Sequence, residues 1–125
     1  MSFDWKSYLQ LSEGLIKCQA TGLEEACFRS AISRSYYAIF GIASNYLKSN
    51  GVTIPPVDTH KSLRNEFKNS HDHTKKKIGQ NLDRLWKDRK EADYNDAVSI
   101  NINKAQISHQ MALRILQDLK SVGAL

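Results

Sequence analysis

The sequence predicts an all-α protein, an antiparallel bundle of about five helices with two long ones. Three observations predict it. Apolar residues recur at three- and four-residue steps through most of the chain, the period that lines one face of a helix. The only prolines are adjacent, at Pro55–Pro56, so one short stretch is closed to helix. The few glycines mostly fall between the periodic segments, where turns belong. The 125 residues suffice for one core and not for two, so residues 1–125 are read as a single domain.

The first helix is expected from about Ser2 to Ala20, with Trp5, Leu9 and Ile16 on its stripe and Tyr8, Leu11 and Leu15 widening it. Thr21 with Glu24 reads as a capping box, each side chain meeting the other's free backbone N–H. A long second helix follows from about Gly22 to Ser49, carrying Phe28, Ile32, Tyr36, Ile39, Ala43 and Leu47. Asn50–Gly51 stops it, since both residues tolerate the left-handed conformation of a helix end. Val52–Val57 reads as a loop. Asp58 or Thr59 caps a short third helix holding Leu63 and Phe67, and Asn69–Asp72 reads as a turn. Thr74 is the expected cap of a fourth helix with Ile78, Leu82, Leu85 and Trp86 on its apolar face. Tyr94–Asn95–Asp96 connects to the last helix, whose seam is Ile102, Ala105, His109, Ala112, Leu116 and Leu119. Ile107, Met111 and Ile115 lie off that seam and predict a second apolar face for a partner.

Composition narrows the function. No apolar run approaches the roughly 20 residues that cross a bilayer, and the N-terminus lacks a signal-like stretch, so a soluble cytoplasmic protein with no membrane role is expected. Cys18 and Cys27 are expected to be reduced core thiols. His71-Asp72-His73 has metal-binding residue types, yet no further ligands stand at zinc-like spacing, so no metal or other cofactor is expected. There is no phosphate loop, paired-carboxylate motif or nucleophile elbow. The net charge is +5, and Thr74–Lys90 carries all of it, with seven basic residues against Asp83 and Asp88. Cations at a helix start oppose the macrodipole, so helix stability does not explain Lys75–Lys77. A phosphate-binding patch and a solvated basic face are both open readings.

Three stretches carry candidate chemistry: Arg29-Ser30-Ala31-Ile32-Ser33-Arg34-Ser35-Tyr36-Tyr37-Ala38-Ile39-Phe40, then Thr59-His60-Lys61, then Arg89-Lys90-Glu91-Ala92-Asp93-Tyr94-Asn95. At about 100° per residue Arg89 lies almost on the face of Ile78, pointing toward the bundle or a cleft. Asp93, four residues on, stands where it can pair with it. Tyr36 fits the core stripe, while Arg34 and Tyr37 lie off it and suit cleft lining. His60 is either an anion ligand at a helix start or a solvated loop histidine. His109 sits in the helix seam, the place of a satisfied or interface histidine.

Together these motifs resemble small prokaryotic HEPN proteins, over roughly Gly22 to Leu119. The resemblance implies a helical homodimer, RNA or nucleotide as ligand, a toxin–antitoxin or antiphage defence setting, and metal-independent endoribonuclease activity. It also implies a protein partner such as a nucleotidyltransferase for members that act as non-catalytic interaction modules. Carried over by position, Arg89, Asp93 and Tyr94 would be the catalytic residues, with Arg34, Tyr37, His60, Lys61 and Lys90 binding phosphate. The family's arginine is followed, after four to six residues, by a histidine; here four residues intervene and Tyr94 follows. A phenol titrates near 10 and an imidazole near 6.5, so tyrosine is the poorer general base at neutral pH.

Overall fold

The computed structural model describes residues 2–125. Five helices make up the fold: α1 (Ser7–Ile16), α2 (Glu24–Ser49), α3 (Thr59–Lys68), α4 (His73–Tyr94) and α5 (Ile102–Ser121). Contacts between particular residues set their directions. Trp5 meets Gly41 while Ser12 meets Ala31, so α1 and α2 are antiparallel. Arg29 meets Asn95 while Lys75 meets Tyr46, so α2 and α4 are too. Asp83 binds both Arg64 and Lys68 of α3, and Asp88 binds Lys104 and Ser108 of α5, which places α4 between the two.

Most of the apolar stripes read from the sequence converge, but Leu11 and Ile102, expected on them, are exposed. Ile32, Tyr36, Ile39, Leu63, Phe67, Ile78, Leu82, Leu85, Ile115 and Leu119 are all at most 1% exposed. One cluster fills the middle and one end of the bundle; a smaller one, around Ile16, Ala31, Ile32, Ala92, Ile100 and Ala105, closes the other. Among the described residues no helix is long and apolar enough to cross a membrane.

Five local expectations are corrected. α1 is shorter than Ser2–Ala20. At its start Asp4 Oδ1 accepts the Lys6 N–H and frees Trp5 to lie on Gly41, where an added Cβ would overlap the indole. At its end Lys17 and Cys18 N–H close on Glu13 O and Leu15 O. Thr21 caps nothing: Glu24 reaches back to the Gly22 N–H at 3.2 Å, Gly22 takes φ +83°, and α2 begins at Glu24 rather than Gly22. The cap of α4 is Asp72, not Thr74. Asp72 has extended backbone, φ −75° and ψ 127°, and its carboxylate accepts the Lys75 N–H at 2.8 Å. Asp58 holds the N-cap position of α3 in the left-handed conformation, but its carboxylate does not cap. Last, Ile107, Met111 and Ile115 do not form the second apolar face expected of α5: Ile115 is fully buried, Met111 packs on the main core, and Ile107 alone of the three is exposed.

The Asn50–Gly51 stop is as expected. Gly51 takes φ +79°, its N–H bonds Lys48 O, and Val52 N–H bonds Leu47 O at 2.9 Å. This is the Schellman arrangement, in which the two bonds satisfy carbonyls that the helix leaves free.

Gly79 lets α3 and α4 touch backbone to backbone. A Cβ there would lie 2.5 Å from Lys68 Cγ, 2.6 Å from Lys68 N and 3.0 Å from Arg64 O. Alanine gains about 1 kcal/mol in helix propensity over glycine, but backbone cannot step aside as a side chain can. Gly79→Ala is expected to lower unfolding stability by about 2 kcal/mol net, read from urea midpoints. A neutral or stabilising result would show that α3 yields.

Candidate anion-binding site

The site forms where α4 crosses α2. The stripe that buries Ile78, Leu82 and Leu85 carries Arg89 inward at 7% exposure. Its guanidinium lies 5.6, 5.4 and 5.5 Å from the ring centres of Tyr36, Tyr37 and Tyr94. Nη1 stands 3.6 Å from Asp93 Oδ2, an ion pair one helical turn apart. The Nε of Arg89 is buried and has no acceptor among the described residues.

Arg34 comes to the same tyrosine from α2. Its guanidinium is 5.2 Å from the Tyr37 ring centre and 4.8 Å from that of Tyr8. Its Nη2 donates to Ser33 Oγ at 3.3 Å, and Ser33 Oγ donates to Asp93 Oδ2 at 3.2 Å. Two guanidiniums thus flank one tyrosine; Arg89 pairs with Asp93 directly, and Arg34 reaches it only through Ser33. Aromatic faces attract cations but bring no negative charge, so a positive charge is left over.

His60 belongs to this cluster and is not a loop histidine. It stands on the first turn of α3, half-buried, stacked on Phe40 at 4.3 Å and edge-on to Tyr37 at 6.1 Å. Its Nδ1 is 2.6 Å from the Tyr36 hydroxyl. Tyr36 is fully buried, which pushes its phenol up and keeps it protonated. That proton needs an acceptor, so Tyr36 donates to Nδ1 and the neutral imidazole carries its hydrogen on Nε2. Burial first, then the charges of Arg89 and Arg64, hold His60 below the ordinary histidine range.

Tyr94 ends α4 at 76% exposure, with Arg89 beneath its ring. Lys90 is exposed and lies over Trp86 at 4.2 Å; with Lys87, Glu91, Tyr94 and Asn95 it lines an open hollow. Lys61 is exposed on α3 and makes no hydrogen bond or ion pair among the described residues. Arg34, Tyr37, His60, Arg89, Asp93 and Tyr94 are therefore brought together, Lys90 borders them, and Lys61 stands apart. His71 and His73 are exposed, and no metal-binding group of three ligands occurs among the described residues.

The sequence left out Tyr8, Ser33, Arg64 and Trp86. Arg64 is 7% exposed, donates to Asp83 Oδ1 at 2.6 Å and lies over Trp86 at 4.1 Å, with Nη1 buried and unpartnered among the described residues. Burial pushes the Asp83 carboxyl up, but hydrogen bonds from Lys68 and Arg64 outweigh it and hold the group below its usual range. A buried arginine on a helix that is otherwise mostly polar leaves no periodic signal.

The acids of α4 do not neutralise its own basic excess. Asp83 and Asp88 both bind cations of other helices, so Lys76, Lys77, Arg84, Lys87 and Lys90 stay exposed along α4, and of these Lys87 and Lys90 border Tyr94.

Two histidines set a pH dependence. His109 is half-buried with Nδ1 3.2 Å from Ser12 Oγ, and burial holds it, like His60, below the ordinary value. The unfolded chain therefore binds these protons at higher pH than the folded one. Their contribution is whole above about pH 7 and is lost as pH falls through the unfolded value near 6.5. Urea midpoints should drop between pH 7.5 and 5.5, and the double variant His60→Asn, His109→Asn should flatten that drop. An unchanged slope would remove both histidines from the effect.

No protein-family model matches the chain, and no curated protein matches it.

Proposed function

We propose that the chain acts as a HEPN-type homodimer whose Arg89 face binds RNA or nucleotide phosphates, within a toxin–antitoxin or antiphage defence module. One observation carries the reading: Arg34 and Arg89 flank Tyr37, only Arg89 pairs with a carboxylate, that of Asp93, and the buried Arg89 Nε has no acceptor among the described residues. A phosphate would supply the missing negative charge, and a guanidinium suits its oxygens better than any other side chain. The His60 Nε2–H adds a donor in the same cluster. Tyr94, exposed and backed by a cation, suits stacking on a base. Under metal-independent cleavage Arg89 would neutralise the scissile phosphate and Tyr94 would position it.

A second reading, a non-catalytic module that dimerises and docks a protein such as a nucleotidyltransferase, is favoured by Tyr94. Its exposed phenol stands where a histidine would act, and His60 Nδ1 is already taken by Tyr36.

The test is binding of labelled single-stranded RNA in EDTA at several salt concentrations, with product gels, for wild type and Arg89→Ala. Affinity should fall steeply with salt, and Arg89→Ala should cost roughly tenfold or more, about 1.4 kcal/mol. Metal-free cleavage lost in the variant supports the nuclease; binding without turnover supports the module. Equal binding and equal cleavage by both proteins would overturn the site, and a monomer at tens of micromolar on sedimentation would overturn the dimer.

A further inference from the structure

Asp88 ties α4 to α5, its two oxygens accepting from Lys104 Nζ and Ser108 Oγ at 2.9 Å each. Arg84 stands one helical turn before Asp88, where the two could pair, but both oxygens are taken. Arg84 is exposed and makes no hydrogen bond or ion pair among the described residues. On α5, Ile107, Gln110 and Arg114 follow one another at steps of three and four and so share a face. Arg114 is exposed and equally unpaired among the described residues. Asp118, four residues on, makes no ion pair with it and keeps one oxygen buried. The two faces enclose an open hollow of about 220 Å³, lined by Asn81, Arg84, Ile107, Gln110, Met111 and Arg114. No carboxylate lines it. Asn81 is its most buried member, only 9% exposed, yet its amide makes no hydrogen bond among the described residues. Burying an amide costs free energy unless its donors and its acceptor are met, and the hollow is where a partner can enter.

We propose that this hollow binds a phosphate of an RNA strand that continues onto the Arg89 face, so that the ligand is a strand of several nucleotides and not a mononucleotide. The proposal rests on the phosphate-binding reading of that face. A phosphate brings the negative charge that two unpaired guanidiniums lack, and its oxygens match their forks. The Asn81 amide donates to a further oxygen, with Gln110 beside it. Ile107, 57% exposed, and Met111 give the hollow an apolar side against which a ribose can pack. What lies between the two sites favours a strand over a lone anion. Arg84 and Tyr94 are ten residues apart on α4, about 15 Å along its axis. Lys87 stands between them, exposed, and lines the hollow beside Tyr94. A regularly charged polyanion meets Arg84, Lys87 and Lys90 in turn and can lay a base on Tyr94. An acidic protein segment would use the cations but has no base for that ring.

Calorimetric titration with a uridine dinucleotide and with an oligouridine of about 12 nucleotides, a length that single-strand sites cover, tests this on the full chain. Native protein should hold the oligomer at least about tenfold more tightly than the dinucleotide. The double variant Arg84→Ala, Arg114→Ala should lose about tenfold on the oligomer and lower its salt slope by about 0.7, the value of one phosphate on a single strand. Its dinucleotide affinity should not change. Asn81→Leu replaces an unmet amide by an apolar side chain of similar size. It should melt no lower than native protein and lose affinity severalfold for the oligomer alone. A dinucleotide whose binding does not depend on Arg89 would overturn the Arg89 face, and the shared strand with it. A dinucleotide that does need Arg89, with an oligomer that gains nothing over it or that the double variant binds as well as native protein, would overturn this inference alone. Polyglutamate that displaces the oligomer as readily as unlabelled RNA does would assign the hollow to an acidic protein and overturn it too.

Discussion

Arg29→Ala should unfold about 3 kcal/mol more easily than wild type, a drop in melting temperature of roughly 10 °C for a chain of this size. The arginine reaches from α2 to the end of α4. Its Nη1 donates to Ala92 O at 2.9 Å, Asn95 O at 3.1 Å and Glu91 O at 3.3 Å, and its Nη2 donates to Val98 O at 2.5 Å. Those carbonyls include the ones that a helix leaves without partners, and α4 has no basic residue in its own last turn. Arg29 thus supplies both the donors and the charge that oppose the negative end of the helix. Its Nε binds Glu25 at 2.9 Å, and the same Glu25 oxygen accepts the Ile100 N–H at 3.2 Å. Truncation would leave several part-buried acceptors dry and free the α4–α5 connection. Its side chain is 20% exposed, so water reclaims part of the loss, which keeps the figure near 3 rather than 5 kcal/mol. Arg29→Lys should fall between the two, because one ammonium cannot serve four carbonyls spread over eight residues. A loss below about 1 kcal/mol would show that water replaces the clamp without cost.

Arg29 also marks where sequence reading stops. It stands inside a motif that the sequence singles out, yet apart from Glu25 its partners are backbone atoms more than sixty residues away, and backbone carbonyls have no sequence signature. The long stripes of α2, α4 and α5 were legible because burial there follows period alone, and so was the inward direction of Arg89. The ends of α1 were not. Trp5 looks like one more residue of a helical stripe, but its ring is buried by lying on Gly41 from outside the helix. Asp72 and Thr74 are both good caps two positions apart, and only the extended backbone at Asp72 decides between them. The candidate site was legible in its members more than in its arrangement. Arg34, Tyr37, His60, Arg89, Asp93 and Tyr94 were named for separate reasons. That one ring lies between two guanidiniums depends on how α2 crosses α4, and no spacing encodes that crossing.

Arg89→Met should leave stability unchanged or raise it, while weakening phosphate-ligand binding at least as much as Arg89→Ala does. The guanidinium is 7% exposed, so it has lost nearly all its water. In return it has one carboxylate at 3.6 Å, which is too long for a hydrogen bond, and three aromatic faces. A part-exposed pair of this kind contributes about 1 kcal/mol or less, and the buried Nε costs about as much again for want of an acceptor. Methionine keeps most of the volume, removes the unpaired donor and packs favourably against tyrosine rings. Asp93 keeps its bond from Ser33 and is 26% exposed, so it is not stranded. Replacing buried ionic groups by apolar ones of similar size is often neutral or stabilising. Chemical denaturation and RNA anisotropy on the same preparation decide the matter. A variant that loses about 2 kcal/mol and binds as wild type does would make Arg89 a structural arginine and move the search for the ligand to the exposed lysines of α4.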